Sequence, residues 1–138
     1  MRFLIVDESS EFRRVLAGML LARWPAAQTD EWDPRRQGNP AESVARERYD
    51  LVLLDSQPAG EDGIRWVAQM RKDPLAPPVV LVADQGDTPV AIQAMKAGAA
   101  DFLRKTGLTQ QRLARALEHA LQEQEARRSA RAHVDHVL

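Results

Sequence analysis

Asp50-Leu-Val-Leu-Leu-Asp55 is the stretch of sequence that decides the fold, since four consecutive apolar residues lie between two aspartates. Two similar runs occur elsewhere, Phe-Leu-Ile-Val at residues 3–6 and Val-Val-Leu-Val at residues 79–82. Continuous apolar runs of this length are typical of strands that are buried on both faces, as in parallel sheets. The sequence therefore predicts a parallel sheet with these three runs at its centre.

Two further strands and a set of helices complete the predicted pattern. Residues 101–104 are more polar and predict an edge strand, while residues 29–32 predict a short second strand from a less distinct pattern. Apolar residues with helical spacing lie between the strands, beginning with Phe12, Val15 and Leu16. Strands that alternate with helices predict an α/β domain of five strands and five helices, with helices on both faces of the sheet.

Turn and cap residues predict where the helices begin and end. Ser9 or Ser10 is expected to cap the first helix, Asn39-Pro40 the second, and Thr88-Pro89 to open the fourth, which ends at Gly98. The last helix begins near Leu108, and its apolar face thins after Leu121. We therefore divide the chain into a domain at 1–121 and an extension at 122–138. The extension is expected to be a continuation of the last helix, a frayed solvated tail or a linker to a further domain.

The composition fits one soluble domain. The chain has 138 residues, of which 44% are hydrophobic and 28% charged, with a net charge of −1 and no cysteine. This composition excludes disulfides and thiolate metal sites, and it does not favour a nucleic-acid-binding domain that depends on overall positive charge. No apolar run is long enough to cross a membrane, and the N-terminus does not resemble a signal peptide. We expect a cytoplasmic protein.

Carboxylates at the ends of two predicted strands indicate a site. Asp7 and Glu8 follow the first strand, and Asp55 ends the third. Because the carboxyl ends of parallel strands meet at one edge of the sheet, the three should converge there. Oxygen ligands without His or Cys favour Mg²⁺, and Lys105, which follows the last strand, could reach the same place. Taken singly, each aspartate is more often a cap or turn residue.

Four motifs in order resemble the receiver domains of CheY-like response regulators, and the resemblance covers about residues 1–121. They are FLIVDE (3–8), DLVLLD with its following loop (50–63), PVVLVA (78–83) and AGAADFLRK (97–105). The resemblance implies a flavodoxin-like, doubly wound five-stranded parallel sheet in the order 2-1-3-4-5. It also implies a role in two-component, phosphorelay signal transduction.

The resemblance further implies the roles of individual residues. Asp55 would be the phosphoacceptor, taking a phosphoryl group from a sensor histidine kinase. Glu8, Asp55 and the main-chain carbonyl of Gln57 would hold Mg²⁺, with Asp7 acting through water, and Lys105 would pair with the phosphate. The chain would be a switch and not an enzyme. Its partners would be the kinase and a C-terminal effector domain or downstream protein. A homodimer through the fourth helix, fifth strand and fifth helix is also expected.

Departures from the family pattern leave a second interpretation open. Ala83 stands where the family usually has Thr or Ser, Thr106 stands where it has proline, and Pro58 comes one residue early. Phe102 occupies the position of an aromatic switch residue, and beside the small Ala83 it could be held inward permanently. The alternative is therefore a degenerate receiver that docks or dimerises without phosphate.

Three other functions fit the residues less well. A flavin carrier needs a phosphate-binding loop after the first strand, where Asp7 and Glu8 would repel phosphate. An aspartyl-nucleophile phosphatase would carry a second aspartate at the position of Ser9. A DNA-binding module needs a basic recognition element, and none is clear. We expect no direct binding of nucleic acid.

Overall fold

The five predicted strands form one parallel sheet in the order β2-β1-β3-β4-β5. The computed structural model describes the backbone of residues 1–137 and the side chains of residues 1–134. The predicted strand order and the edge position of the last strand are confirmed. The strands are β1 (Arg2–Val6), β2 (Gln28–Trp32), β3 (Leu51–Asp55), β4 (Val79–Ala83) and β5 (Asp101–Arg104).

Within residues 1–137, six α-helices connect or follow the strands, one more than predicted. The additional helix is a single turn that Asp33 caps by accepting a hydrogen bond from the backbone N–H of Arg35, with Pro34 in the first turn. The predicted fourth and fifth helices are therefore the fifth and sixth of the structure. The helices are α1 (Ser10–Arg23), α2 (Pro34–Gln37), α3 (Ala41–Arg46), α4 (Gly63–Met70), α5 (Thr88–Ala97) and α6 (Gln110–Val137), with a 3₁₀ turn at Pro58–Gly60.

The predicted helix starts are correct in two cases and shifted in one. Ser9 caps α1, its side chain accepting a hydrogen bond from the N–H of Phe12. Helix α5 begins at Thr88, as expected, but its capping side chain is that of Asp87. Helix α3 begins at Ala41 rather than at Pro40, because the Asn39 side chain accepts a hydrogen bond from the Ala41 N–H and forms an Asx turn before the helix.

The sheet has an apolar cluster on each face. One cluster contains alternate strand residues such as Leu4 and Leu54 and packs against α3, α4 and α5. The other contains Ile5 and Leu53 and packs against α1 and α6. Because β3 and β4 are buried at every position, helices on both faces are required to exclude water, as the continuous apolar runs predicted.

Helix α6 continues through the predicted extension. Gln124 lies beyond the apolar face but is 8% exposed, and its amide donates a hydrogen bond to the carbonyl of Ala76. Arg131 donates to the carbonyl of Pro74 in the same segment. The segment is therefore helical as far as Val137, its described residues after Gln124 are exposed, and the division at residue 121 stays a prediction. None of the described helices has the length and apolar character that a membrane span requires.

Truncation of Leu20 in α1 tests the packing of α1 against α6. Leu20 is fully buried, whereas its neighbour Leu21 is 39% exposed. We expect Leu20→Ala to lower the free energy of unfolding by about 2–5 kcal/mol, because it removes apolar contacts and leaves a cavity. Leu21→Ala is the matched control and should cost under about 1 kcal/mol. Urea unfolding measures both variants, and equal losses would contradict the assigned face of α1.

Candidate functional site

The carboxyl ends of β1, β3 and β5 bring together three of the predicted site residues. Asp7 follows β1 and is 2% exposed, and Asp55 ends β3 and is 8% exposed. Lys105 follows β5, and its ammonium Nζ lies 2.7 Å from Oδ2 of Asp7 and 3.8 Å from Oδ1 of Asp55. The prediction that these groups converge at one edge of the sheet is confirmed for these three.

Backbone and side-chain contacts hold Lys105 in place. Its backbone N–H donates a hydrogen bond to the carbonyl of Ala83, which extends the β4–β5 ladder by one residue. Its Nζ lies 4.6 Å from the centre of the Phe12 ring, within the range of a cation–π contact. The ammonium is therefore fixed between an aromatic face on α1 and the carboxylate of Asp7.

Arg13 is a second cation at the site, which the sequence reasoning missed. Its guanidinium donates a hydrogen bond to the main-chain carbonyl of Asp7 at 2.6 Å and pairs with Glu31 at the end of β2 at 2.9 Å. The Asp7 carboxylate also accepts a hydrogen bond from the backbone N–H of Ser9. The spacing from Asp7 to Arg13, less than two turns into α1, is a signal that could have found this contact.

Burial and a like charge act together on Asp55. Burial at the edge of the sheet, and after it the negative charge of Asp7, raise the pKa of Asp55 from its ordinary value of 3.8 to about 6. Lys105 and the N–H of Gln57, which lies 3.4 Å from Oδ1, oppose this effect. A positive charge added beside Asp55 would therefore be stabilising.

Two other carboxylates, those of Glu8 and Asp84, are not part of the buried group formed by Asp7, Asp55 and Lys105. Oε2 of Glu8 lies 2.8 Å from Nε of Arg35 on α2, so the structure does not bring Glu8 to Lys105. Asp84, which follows β4, lies 3.8 Å from Nζ of Lys105 and is 81% exposed. Among the described residues, no three His, Cys, Asp or Glu side chains are gathered as a metal-binding group. Glu8 would have to leave Arg35 to serve as a ligand.

The donor set nevertheless suits Mg²⁺. Asp7 and Asp55 offer hard oxygen atoms, and Mg²⁺ usually takes one or two carboxylates together with water. The raised pKa of Asp55 shows that its charge is incompletely balanced by Lys105. Asp7, Asp55, Glu8 and the carbonyl of Gln57 would hold the ion, Glu8 after release from Arg35.

Close packing fixes the loop that follows Asp55. A Cβ atom at Gly63 would lie 2.7 Å from the backbone oxygens of Asp55 and Ser56, so only glycine lets α4 begin so near the end of β3. Ala59, in the turn after Pro58, has a φ of 53°, a left-handed conformation that is uncommon for residues other than glycine. The early position of Pro58 thus coincides with a strained turn beside the site.

The two predicted switch positions, Ala83 and Phe102, lie on the neighbouring strands β4 and β5. Ala83 at the end of β4 is fully buried and has no hydroxyl to offer. Phe102 on β5 is partly buried and packs against the core cluster of α4 and α5. A Cβ at Gly86 would lie 2.5 Å from the Phe102 ring, so the loop after β4 depends on glycine to accept this ring position.

Comparison with known proteins gives one consistent result. The family model described as response regulator receiver domain matches residues 3–118. The chain is 33% identical over 103 residues to the C4-dicarboxylate transport transcriptional regulatory protein DctD of Pseudomonas aeruginosa, covering 74% of this chain and 21% of that protein. It is 32% identical over 105 residues to the transcriptional regulatory protein ResD of Bacillus subtilis, covering 75% and 41%. The chain therefore spans well under two thirds of these relatives.

Solved structures show the same fold. The BeF3-activated N-terminal receiver domain of RstA from Klebsiella pneumoniae superposes with a TM-score of 0.73 at 27% identity, covering 87% of this chain and 98% of that one. The beryllofluoride-activated NtrC4 receiver domain dimer superposes with a TM-score of 0.77 at 21% identity, covering 89% and 98%.

Replacement of Asp55 tests whether the negative charge of its carboxylate destabilises the folded chain. In the absence of divalent ions we expect Asp55→Asn to raise the free energy of unfolding at pH 7 by about 1–2 kcal/mol. The pKa of Asp55 lies near 6 in the folded chain, against an ordinary value of 3.8. Deprotonation therefore destabilises the folded chain as the pH rises through this window. The gain from asparagine should be small near pH 4 and complete above about pH 6.

Urea unfolding at several pH values measures this dependence. Asp84→Asn is the matched control, because Asp84 faces the same lysine but is 81% exposed. It should change the free energy of unfolding by less than about 0.5 kcal/mol at every pH. A gain from Asp55→Asn that is equal at pH 4 and pH 7, or a loss at pH 7, would contradict the assigned imbalance.

Proposed function

The chain belongs to the response regulator receiver family, and on that premise we propose that Asp55 is the residue that accepts a phosphoryl group. The observation that carries the proposal is the position of Asp55, buried at the end of β3 with Nζ of Lys105 3.8 Å from its carboxylate. Function as a receiver domain in two-component signal transduction agrees with the family match and with relatives whose names include the words response regulator. These relatives do not favour the phosphorylation-independent docking module.

The proposed reaction is a nucleophilic displacement at phosphorus. An oxygen of the Asp55 carboxylate attacks the phosphorus of a phosphohistidine on a sensor histidine kinase. A P–O bond forms as the P–N bond breaks, and the electron pair of the broken bond stays on the imidazole nitrogen. The aspartate must be ionised to attack, so its raised pKa leaves part of the population protonated at pH values below about 6.

The surrounding residues balance the charge of the product. Lys105, held by Phe12 and by its backbone hydrogen bond to Ala83, would pair with the phosphoryl oxygens. Asp7, which its contacts with Arg13 and Ser9 keep in place, would hold Mg²⁺ through water, while Glu8, Asp55 and the Gln57 carbonyl would contact it directly. Bound Mg²⁺ supplies positive charge that offsets the negative charge on the phosphoryl oxygens.

Partners and location are part of the same proposal. The phosphoryl donor would be a sensor histidine kinase, and the read-out would be a C-terminal effector domain or a downstream protein. This fits relatives such as DctD and ResD, which are named transcriptional regulatory proteins and of which this chain spans 21% and 41%. The chain accepts one phosphoryl group and does not act as an enzyme on a separate substrate. A cytoplasmic location completes the proposal.

Homodimerisation through α5, β5 and α6 also belongs to the proposal. Ile92 and Met95 on α5 are each about half exposed, which is unusual for large apolar residues on a monomer surface when they are adjacent. The beryllofluoride-activated NtrC4 receiver domain is a dimer. These apolar side chains would lie in the interface between two copies.

Intact-mass measurement tests the phosphoacceptor. The protein is incubated with Mg²⁺ and acetyl phosphate, and we expect one added phosphoryl group per chain. The adduct should be absent from Asp55→Asn and from a sample in which EDTA replaces Mg²⁺. Asp84→Asn is the control for a nearby exposed carboxylate and should retain the adduct. If the wild type fails to gain mass both here and with a phosphorylated histidine kinase domain, the proposal is wrong.

A second experiment tests whether the absence of a hydroxyl at position 83 weakens the conformational response to a phosphoryl group. A hydroxyl at this position could hydrogen-bond the phosphoryl group, and the loss of one charge-assisted hydrogen bond corresponds to about 1.5–3 kcal/mol. We expect beryllofluoride with Mg²⁺ to cause larger amide chemical shift changes in Ala83→Thr than in the wild type, at residues 84–88 and 101–105. Ala83→Val, which adds the same bulk without a hydroxyl, is the matched control. Equal responses of wild type and Ala83→Thr would contradict this role.

A further inference from the structure

A groove of about 1160 Å³ lies at the opposite end of the sheet from Asp55. One wall is formed by α3 and the residues that precede β3, and a second by the segment from α4 to β4. The third wall is the part of α6 beyond residue 121, which the hydrogen bond from buried Gln124 to the Ala76 carbonyl holds against the domain. The groove therefore depends on the C-terminal extension.

Arginines dominate the charge of this groove. Six arginines line it against four acidic residues, which are Glu42, Glu47, Asp50 and Asp73. Glu47 pairs with Arg2, and Asp50 accepts a hydrogen bond from the backbone N–H of Arg2. The charge of Asp73 partly opposes the lowering of the pKa of Arg71. Among the side chains that the structure describes, none of the lining arginines has a carboxylate within ion-pair distance of 4.0 Å. These arginines are Arg46, Arg48, Arg71, Arg127, Arg128 and Arg131.

Arg71 is fixed at the centre of the groove. Its Nη1 donates hydrogen bonds of 3.2 Å to the carbonyls of Ala76 and Pro77. A Cβ at Gly98 would lie 2.7 Å from Cγ of Arg71, so the arginine stem packs where glycine leaves room. Burial lowers the pKa of Arg71, and the positive charge of Arg127 on α6 lowers it further. Two like charges therefore face each other across the groove.

The segment that carries Arg71 also offers apolar contact to the groove. Pro74, Leu75 and Pro77 line it, and Leu75 is 72% exposed, the most exposed of the large apolar side chains described. An apolar rim beside fixed guanidinium groups suits a ligand with a flat ring at one end and anionic oxygens at the other. The volume fits a ligand of nucleotide size better than a single phosphate ion.

We propose that this groove binds a small molecule that carries a diphosphate group, of the class of the nucleoside diphosphates. Arg71 and Arg127 bind the phosphate oxygens, because the planar guanidinium group matches two oxygens of one phosphate. The ring end of the ligand lies on Pro74 and Leu75. This site is separate from Asp55 and does not rest on phosphorylation of the chain.

Isothermal titration calorimetry of the full chain in EDTA tests the proposal, with ADP, inorganic diphosphate and adenosine as probes. We expect ADP to bind with a dissociation constant below about 1 mM, diphosphate to bind more weakly, and adenosine not to bind measurably. Binding should weaken as sodium chloride is raised, since it depends on charge. Absence of ADP binding, or adenosine binding as tightly as ADP, would overturn the proposal.

Variants on α6 locate the binding site. Arg127→Gln should weaken ADP binding about 10-fold or more, because it removes a charge-assisted contact. Arg115→Gln, an exposed arginine on the same helix outside the groove, should leave binding within about 2-fold. Arg71→Gln should also weaken binding, and urea unfolding would show that the variant is folded. Equal affinities in Arg127→Gln and Arg115→Gln would overturn the proposal.

Two further variants separate this groove from the acidic site. Lys105→Ala and Asp55→Asn should leave ADP affinity within about 2-fold, because both residues lie at the other end of the strands, and urea unfolding would show that each variant is folded. If Lys105→Ala abolished ADP binding and Arg127→Gln did not, the ligand would lie at the acidic site and the proposal for the groove would be wrong. Neither result bears on whether Asp55 accepts a phosphoryl group.

Discussion

The ion pair between Lys105 and Asp7 is the interaction on which the site depends. It joins residues 98 positions apart in the sequence, across the carboxyl ends of the sheet, at a distance of 2.7 Å. It forms only when β1, β3, β4 and β5 lie side by side in this order, so it depends on the strand order of the sheet. Because Asp7 is almost fully buried, removal of either partner would leave an uncompensated charge in the sheet edge. The ion pair therefore makes the position of the Lys105 ammonium dependent on correct folding of the sheet.

Asp55 shows what the arrangement costs in stability. One lysine lies near two buried carboxylates, and it contacts Asp7 more closely than Asp55. The resulting imbalance raises the pKa of Asp55 to about 6, chiefly through burial and then through the charge of Asp7. A carboxylate kept in this state is unfavourable for the folded chain, which agrees with its proposed roles as a Mg²⁺ ligand and phosphoacceptor. Functional sites often retain such unfavourable groups at the expense of stability.

Local pattern was sufficient to predict much of this molecule. The apolar runs identified the strands, and the rule that parallel strands end at one edge predicted the meeting of Asp7, Asp55 and Lys105. The contact of Glu8 with Arg35 was not predictable, since it depends on the one-turn helix α2, whose four residues carry no helical period. The contact between Arg13 and the Asp7 carbonyl is different, because it is local and the spacing of six residues could have indicated it. Only the contact of Glu8 depended on where a separate element lies in the fold.

The measurement that tests the account most directly is chemical trapping of the phosphorylated residue. Borohydride reduces an aspartyl phosphate to homoserine, and tandem mass spectrometry of the digested protein then locates the changed position. After incubation with Mg²⁺ and a phosphodonor, we predict homoserine at position 55 and at no other aspartate. Homoserine at position 7 or 84, or a phosphorylated chain with position 55 unchanged, would contradict the assignment of Asp55 as the acceptor.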